Sequence, residues 1–332
     1  MKLYDLENHF YDAATVEAMA NRKTYPRFDK EDKVVRWSEN ITMSFDALRD
    51  KLVDIGEGRI AAMDRVGITT AVVSASQALE ELDPSESIGF TRSSNDTLYE
   101  FTQRYPGRYL GAAILPVWDT DAACKELERC IRELGFVCWH THSNYSGATP
   151  HEERFAPIFE TCAGLGAFVY LHPKLPDYAG LDEFGFSFAG AAAGFTVDTM
   201  LTTLKLILSG LFDRVPETKL VLGHFGEALP FLLDRIDNRV SRMPNPKTKN
   251  LRLPSEYFRD NIWVTTSGNM SHAAFRCTRD VLGIEKIIFG SDYPYEDMGE
   301  MTDFIKALEI TEEERELLFF RNAEKLLKIG SL

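Results

Sequence analysis

Eight short apolar or β-branched runs punctuate the chain, at residues 3–6, 70–74, 109–115, 136–141, 167–171, 219–222, 262–266 and 286–290. Between them the apolar residues fall every three or four positions. Ile60, Met63 and Val66 set that period in 58–66, and 94–105, 120–133, 150–165, 200–211 and 228–239 repeat it. The short runs read as strands and the 3.6-residue period as amphipathic helices. Strands that alternate with helices pair in parallel, because each helix returns the chain to the start of the next strand. Eight such units predict an α/β protein built as a (β/α)8 TIM barrel. A length of 332 residues would also allow two domains, but barrels of this kind fill such a length as one. No linker, internal repeat or low-complexity tract divides the chain, so one domain over 1–332 is expected. The connection from 10 to about 47, rich in charges and aromatics, is long for a loop in a compact domain. It is expected to form a lid-like insertion over the C-terminal face of the barrel.

The formal net charge is −14. A surface of that sign repels phosphate backbones and anionic lipid, so neither nucleic acid nor a membrane is an expected partner. A small anionic substrate stays possible, because a metal or a few arginines can reverse the local field. The softest stretch, 186–195, is rich in Ala and Gly and reads as too short to span a bilayer, and no run of about 18 apolar residues is evident. The N-terminal residues lack the pattern of a signal peptide. The five cysteines (Cys124, Cys130, Cys138, Cys162, Cys277) show no CxxC spacing. Their odd number fits reduced thiols in the cytoplasm.

In a barrel of this type the chemistry gathers where the strands end. The first run ends in Glu7-Asn8-His9, the fourth in His140 and His142, and the fifth in Leu171-His172-Pro173. The sixth ends in Gly223-His224-Phe225-Gly226-Glu227 and the eighth in Ser291-Asp292-Tyr293-Pro294. Five of the seven histidines thus stand at strand ends. One alone would pass for an ordinary core or loop residue. Together, with Glu7 and His9 two apart on one face of a strand, they form the mixed imidazole and carboxylate set that zinc, manganese or iron takes.

The same positions carry a family resemblance. ENH at 7–9, GRIAAMDRVGI at 58–68, SNDTLYEFTQRYPGRYLGAAILP at 94–116, LHP at 171–173, GHFGEALPFLLDRID at 223–237, SDYP at 291–294 and NAEKLL at 322–327 span nearly the whole chain. Together they resemble the metal-dependent non-oxidative decarboxylases of the amidohydrolase superfamily. That branch holds the γ-resorcylate and 5-carboxyvanillate decarboxylases and, more distantly, aminocarboxymuconate semialdehyde decarboxylase. Within it, ExH in place of HxH marks enzymes of hydroxylated benzoates, and Glu7-Asn8-His9 has that form.

The resemblance implies one divalent ion, zinc or manganese, on Glu7, His9, His172 and Asp292. The fourth strand, FVCWHTH, offers no lysine for a bridging carbamate, so a mononuclear site is implied. The implied reaction is non-oxidative decarboxylation of an ortho-hydroxylated aromatic acid. His224, Glu227 and Asp292 would handle protons. Arg59 and Tyr295 would meet the substrate, and Arg235 would reach it from the neighbouring subunit of a homodimer or dimer-based homotetramer. His140 and His142 depart from the branch, where amide side chains are expected. They fit a barrel-lining pair, a contact of one of them, such as His142, to a substrate substituent, or, last in order, a metal-binding role. An alternative on the same scaffold is a hydrolase or hydratase of a lactone, amide or unsaturated acid, using metal-activated water. A catalytically silent binding barrel is a third reading.

Overall fold

All eight expected strands form, and they pair in chain order. β1 (Tyr4–Phe10) is followed by an insertion holding β2 (Arg27–Asp29), β3 (Val34–Arg36) and β4 (Thr42–Ser44). The barrel continues with β5 (Thr70–Ala75), β6 (Tyr109–Ala113), β7 (Cys138–His142), β8 (Phe168–His172), β9 (Leu220–Leu222), β10 (Ile262–Thr265) and β11 (Ile287–Ile288). The order β1-β5-β6-β7-β8-β9-β10-β11 is parallel throughout. The computed structural model describes residues 2–329 apart from 77, 78, 80, 81, 83, 177 and 179.

The sheet closes where the last strand meets the first. Leu6 N donates to Phe289 O at 3.0 Å, Asp292 N to Glu7 O at 3.0 Å and His9 N to Tyr293 O at 2.7 Å. Asp5 lies in this seam, fully buried. Its Oδ1 accepts from Ser291 N (2.8 Å) and Glu7 N (3.2 Å), and its Oδ2 accepts from the Ser291 hydroxyl (2.5 Å).

Side chains alternate along each strand. In β8, Phe168 and Tyr170 fill the barrel interior, while Val169 and Leu171 face the helices. β1 breaks this rule once. Asp5 pairs with Ala71 but Asn8 pairs with Val73, so β1 carries one extra residue. That bulge lets the neighbours Leu6 and Glu7 both line the interior. Alternation resumes with Glu7 and His9 aimed at the C-terminal mouth, which is how bulges re-aim side chains.

The insertion after β1 carries a helix, Ala13–Asn21, and an antiparallel three-stranded sheet, β2-β3-β4. It has a core of its own: Tyr11, Met19, Phe28, Val35, Phe45 and Leu52 pack together, with Trp37, Met43, Leu48 and Tyr295 against them. The outer helices follow the expected order with shifted ends. The helix expected from 94 spans Pro84–Arg104. Its first half, SESIGFTRSS, is rich in residues of poor helix propensity. The one expected from 150 is Ala156–Gly164, because Pro157 is tolerated only in a first turn.

The soft stretch at 186–195 belongs to a longer apolar segment than the sequence reading allowed. Phe186–Leu208 spans 23 residues and is long and apolar enough, by length and composition, to cross a membrane. In this fold it is broken into Phe186–Ala189 and Gly194–Leu208. The longer helix buries Thr199, Thr202, Thr203, Leu206 and Ile207.

Candidate active site

Four ligand atoms, one each from Glu7, His9, His172 and Asp292, lie within 4.8 Å of one another. They come from β1, from the end of β8 and from the turn after β11. His9 Nε2 is 3.1 Å from Asp292 Oδ1, and His172 Nε2 is 3.6 Å from Glu7 Oε1. Glu7 Oε1, His9 Nε2, His172 Nε2 and Asp292 Oδ1 are all buried without a hydrogen-bond partner. Four orphaned polar atoms pointed at one spot would each cost roughly 1–3 kcal/mol if nothing satisfied them. A divalent cation satisfies all four, and two imidazoles with two carboxylates suit zinc or manganese.

The outer atoms of these side chains are held. His172 Nδ1 donates to Pro173 O at 2.7 Å, and His9 Nδ1 sits 3.2 Å from Ser74 Oγ. Glu7 Oε2 accepts from Thr265 Oγ1 at 3.0 Å. Bonds on the far nitrogen leave Nε2 as the free lone pair of each ligating ring. Burial opposes charge on Asp292, yet the imidazoles of His172, His224 and His9 outweigh it and hold this carboxyl well below its ordinary range. Burial likewise opposes charge on His9, but Asp292 and Glu7 raise it to about 9. His172 is pushed down to about 4 by burial and by the neighbouring His9.

Beside this cluster stands His224. Its Nδ1 is 2.9 Å from Glu227 Oε1 and its Nε2 is 3.9 Å from Asp292 Oδ2. Burial works against its charge, but Glu227 and then Asp292 offset that and raise it well above the ordinary imidazole value. The dyad sits on a strained turn. His224, Phe225 and Glu227 have φ of 56°, 57° and 57°, and Asp292 has 62°. Non-glycine residues avoid that region, and such strain concentrates at functional sites. The turn is pinned by Phe225, buried against Phe275 and Phe304. Gly268 supports the ring from the other side: a Cβ there would stand 2.7 Å from His224 Cδ2.

A cavity of about 410 Å³ has His172, Asp292 and His224 in its wall. The insertion contributes Trp37, Met43 and Leu48, the short helix Phe186–Ala189 contributes Phe186, and the first turn of the long helix contributes Phe195. Tyr295 also lines it, with its ring 5.6 Å from that of His9 and its hydroxyl 2.5 Å from Ser76 Oγ. Burial pushes that phenol up to about 12.

The remaining expected site residues stand elsewhere. Arg59 is fully buried and outside the cavity lining. Its Nη2 donates to the carbonyls of His9 (2.7 Å) and Lys51 (2.9 Å), its Nε donates to that of Asp54 (3.0 Å), and it stacks on Tyr293. Arg235 lies on the helix Leu229–Arg242, exposed and away from the cavity of its own subunit. His142 is buried beside His140 and His172, also outside the lining. His140 stacks on Tyr170 inside the barrel, with both ring nitrogens buried and unbonded. Asp5, Ser74, Thr265, Gly268 and the insertion's wall escaped the sequence reading. Their roles depend on neighbours remote in the chain, and only the Ser-Asp pair in SDYP hinted at the seam.

An amidohydrolase family profile matches residues 5–329. γ-Resorcylate decarboxylase of Polaromonas sp. (strain JS666) is 34% identical over 296 residues, covering 85% of this chain and 90% of that protein. Decarboxylase orsB of Emericella nidulans is 32% identical over 343 residues, covering 98% of this chain and 97% of its own. The crystal structure of a dihydroxybenzoic acid decarboxylase from Polaromonas sp. JS666, with bound manganese and the inhibitor 2-nitroresorcinol, superposes with a TM-score of 0.88. It is 30% identical and covers 100% of this chain and 98% of that one.

Proposed function

The chain belongs to the amidohydrolase family, and on that premise we propose that it is a metal-dependent, non-oxidative carboxy-lyase of an ortho-hydroxylated aromatic acid. One observation carries the reading: four orphaned ligand atoms meet at the wall of a largely apolar cavity, with the His224–Glu227 dyad beside them. A hydrolase or hydratase could use the same ligands, but the two relatives described above, both more than 30% identical, are decarboxylases.

Aryl decarboxylation requires a proton at the ring carbon that bears the carboxylate. The C–C bond to the carboxyl group then breaks, its electron pair restores the aromatic ring, and CO2 leaves. Glu7, His9, His172 and Asp292 would hold a divalent ion, which would supply Lewis acidity and an anchor for the anionic substrate. Glu227 fixes the tautomer of His224 and stabilises its charged form, so a proton is available at neutral pH. His224 Nε2 and Asp292 Oδ2 stand 3.9 Å apart, beyond direct hydrogen-bond reach, so each faces the cavity as a separate group able to handle a proton for the ring. Tyr295 offers the substrate a ring to lie against. The apolar wall limits water, which strengthens each electrostatic contact inside.

Arg235 completes the reading from a second copy of the chain. It is exposed and shares a helix face with Phe231, one turn earlier and 82% exposed. A bare phenylalanine beside an arginine suits a contact with another subunit of a homodimer or a dimer-based tetramer. The five cysteines are all free thiols, which supports a reducing, cytoplasmic setting.

The test is elemental analysis together with CO2 release from a panel of hydroxybenzoates. Asp292→Asn and His172→Ala proteins are expected to lose most of their metal and their turnover. Full metal occupancy with undiminished activity in either would remove the centre from the mechanism.

A further inference from the structure

We propose that the substrate is a monocarboxylic hydroxybenzoate bearing an alkyl substituent, selected by the wall of Trp37, Met43, Leu48, Phe186 and Phe195. The inference rests on the decarboxylase reading above and narrows its substrate class. Three observations carry it.

The first is the wall itself. Five large apolar side chains from two separate segments converge on one cavity. Three of them lean on the private core of the insertion, against Tyr11, Phe28, Val35 and Phe45. Phe186 and Phe195 brace each other edge to face at 5.9 Å. A wall supported from behind is a preformed surface for an apolar group.

The second is charge. Among the described residues, no lysine or arginine lines the cavity, and its ionised side chains besides imidazole are the carboxylates Glu227, Asp292 and Glu296. Beyond the metal centre and His224, a second carboxylate on the ring would meet no further cation in the lining, only these carboxylates, which selects against dicarboxylates by repulsion. Even with Arg235 supplied from a second copy, one cation matches the one carboxylate that leaves.

The third is size. At roughly 30 Å³ per water-sized group, the cavity of about 410 Å³ holds roughly 14 non-hydrogen atoms, whereas a dihydroxybenzoate brings about 11. Tighter packing than in a liquid leaves room for more. The exposed lining of the cavity is mostly apolar, so a hydrocarbon substituent suits the remaining space.

The experiment uses the metal-loaded enzyme and a series of 2-hydroxybenzoates. The members carry hydrogen, methyl, propyl or pentyl at ring carbon 4, 5 or 6, alongside the dicarboxylate 4-hydroxyisophthalate. In at least one series kcat/KM is expected to rise about three- to fourfold per methylene, the effect of burying one CH2, until the cavity is full. The matching alkylphenol products should inhibit competitively with the same dependence on chain length, which reads binding without turnover. Met43→Ala should lower kcat/KM for the longest good substrate at least threefold more than for its parent. Turnover of the parent with no gain along any alkyl series, or a dicarboxylate that outperforms the parent, overturns the inference and leaves the decarboxylase reading standing. Absence of CO2 release from every member, with metal bound, overturns both.

Discussion

His224 shows how few atoms the chemistry needs and how many hold them. Its ring is fixed by Glu227 on one side and by the bare backbone of Gly268 on the other, and it sits on a turn of three non-glycine residues at positive φ. On the proposed reading His224 donates a proton and is no ligand, so it can be removed without emptying the centre. His224→Asn is therefore expected to keep its metal and its fold while turnover falls about 10²-fold or more, the scale of a lost general acid. Wild-type turnover in that variant would show that the proton comes from elsewhere. The histidines at the strand ends were visible in sequence because imidazole following an apolar run is a sparse signal. Gly268 was not, since nothing in SGN tells that a ring from another strand lies against it.

At the scale of elements, the seam between β1 and β11 governs the site. Asp5 bridges it through Ser291, the residue next to Asp292. Burial raises this carboxyl to about 6, against the hydrogen bonds from Ser291 and its neighbours that favour its charge. Its folded value lies above its unfolded one, near 4. The stabilising contribution is thus fully present below about pH 4, where both states hold the proton, and is lost as pH rises from there through about 6. By that linkage Asp5→Asn, which keeps an acceptor for both backbone donors, should gain up to roughly 3 kcal/mol relative to the wild type between pH 4 and 7. Urea unfolding at the two pH values measures it, and parallel curves for the two proteins would contradict it. The eight strands of the barrel were legible because an apolar period of this kind can bury itself in few ways. The sheet of the insertion was not: strands of three residues, such as Arg27–Asp29, carry too little pattern. Nor does YDLENHF show that its third and fourth residues face the same way, because a bulge is a property of the pairing and needs β5 to exist.

The whole molecule, on the reading given above, is more than one chain. Arg235 lies six residues into its helix, roughly 9 Å along the axis from the first residue. From there it faces solvent, not its own cavity. If it serves the site of a partner across a two-fold axis, Arg235→Ala and Asp292→Asn proteins should each be nearly inactive alone. Mixed after subunit exchange, half the dimers would pair one of each, and each such dimer would hold one site with both features intact. Recovery to about a quarter of wild-type activity is expected. No recovery after exchange verified by mass, or a fully active monomer in sedimentation, would refute the shared site.

The closing of the barrel on itself also orders events in time. Glu7 and His9 are made before the rest of the barrel, and Asp292 follows only after nearly all of it has been translated. At ordinary rates of synthesis the interval is roughly a quarter of a minute to a minute. Through it the first two ligands wait on a strand whose far-side neighbour does not yet exist. Half a coordination shell on an unpaired edge cannot retain an ion, so loading belongs to the finished protein. The cell's free metal at that moment, not during translation, decides which ion the enzyme carries.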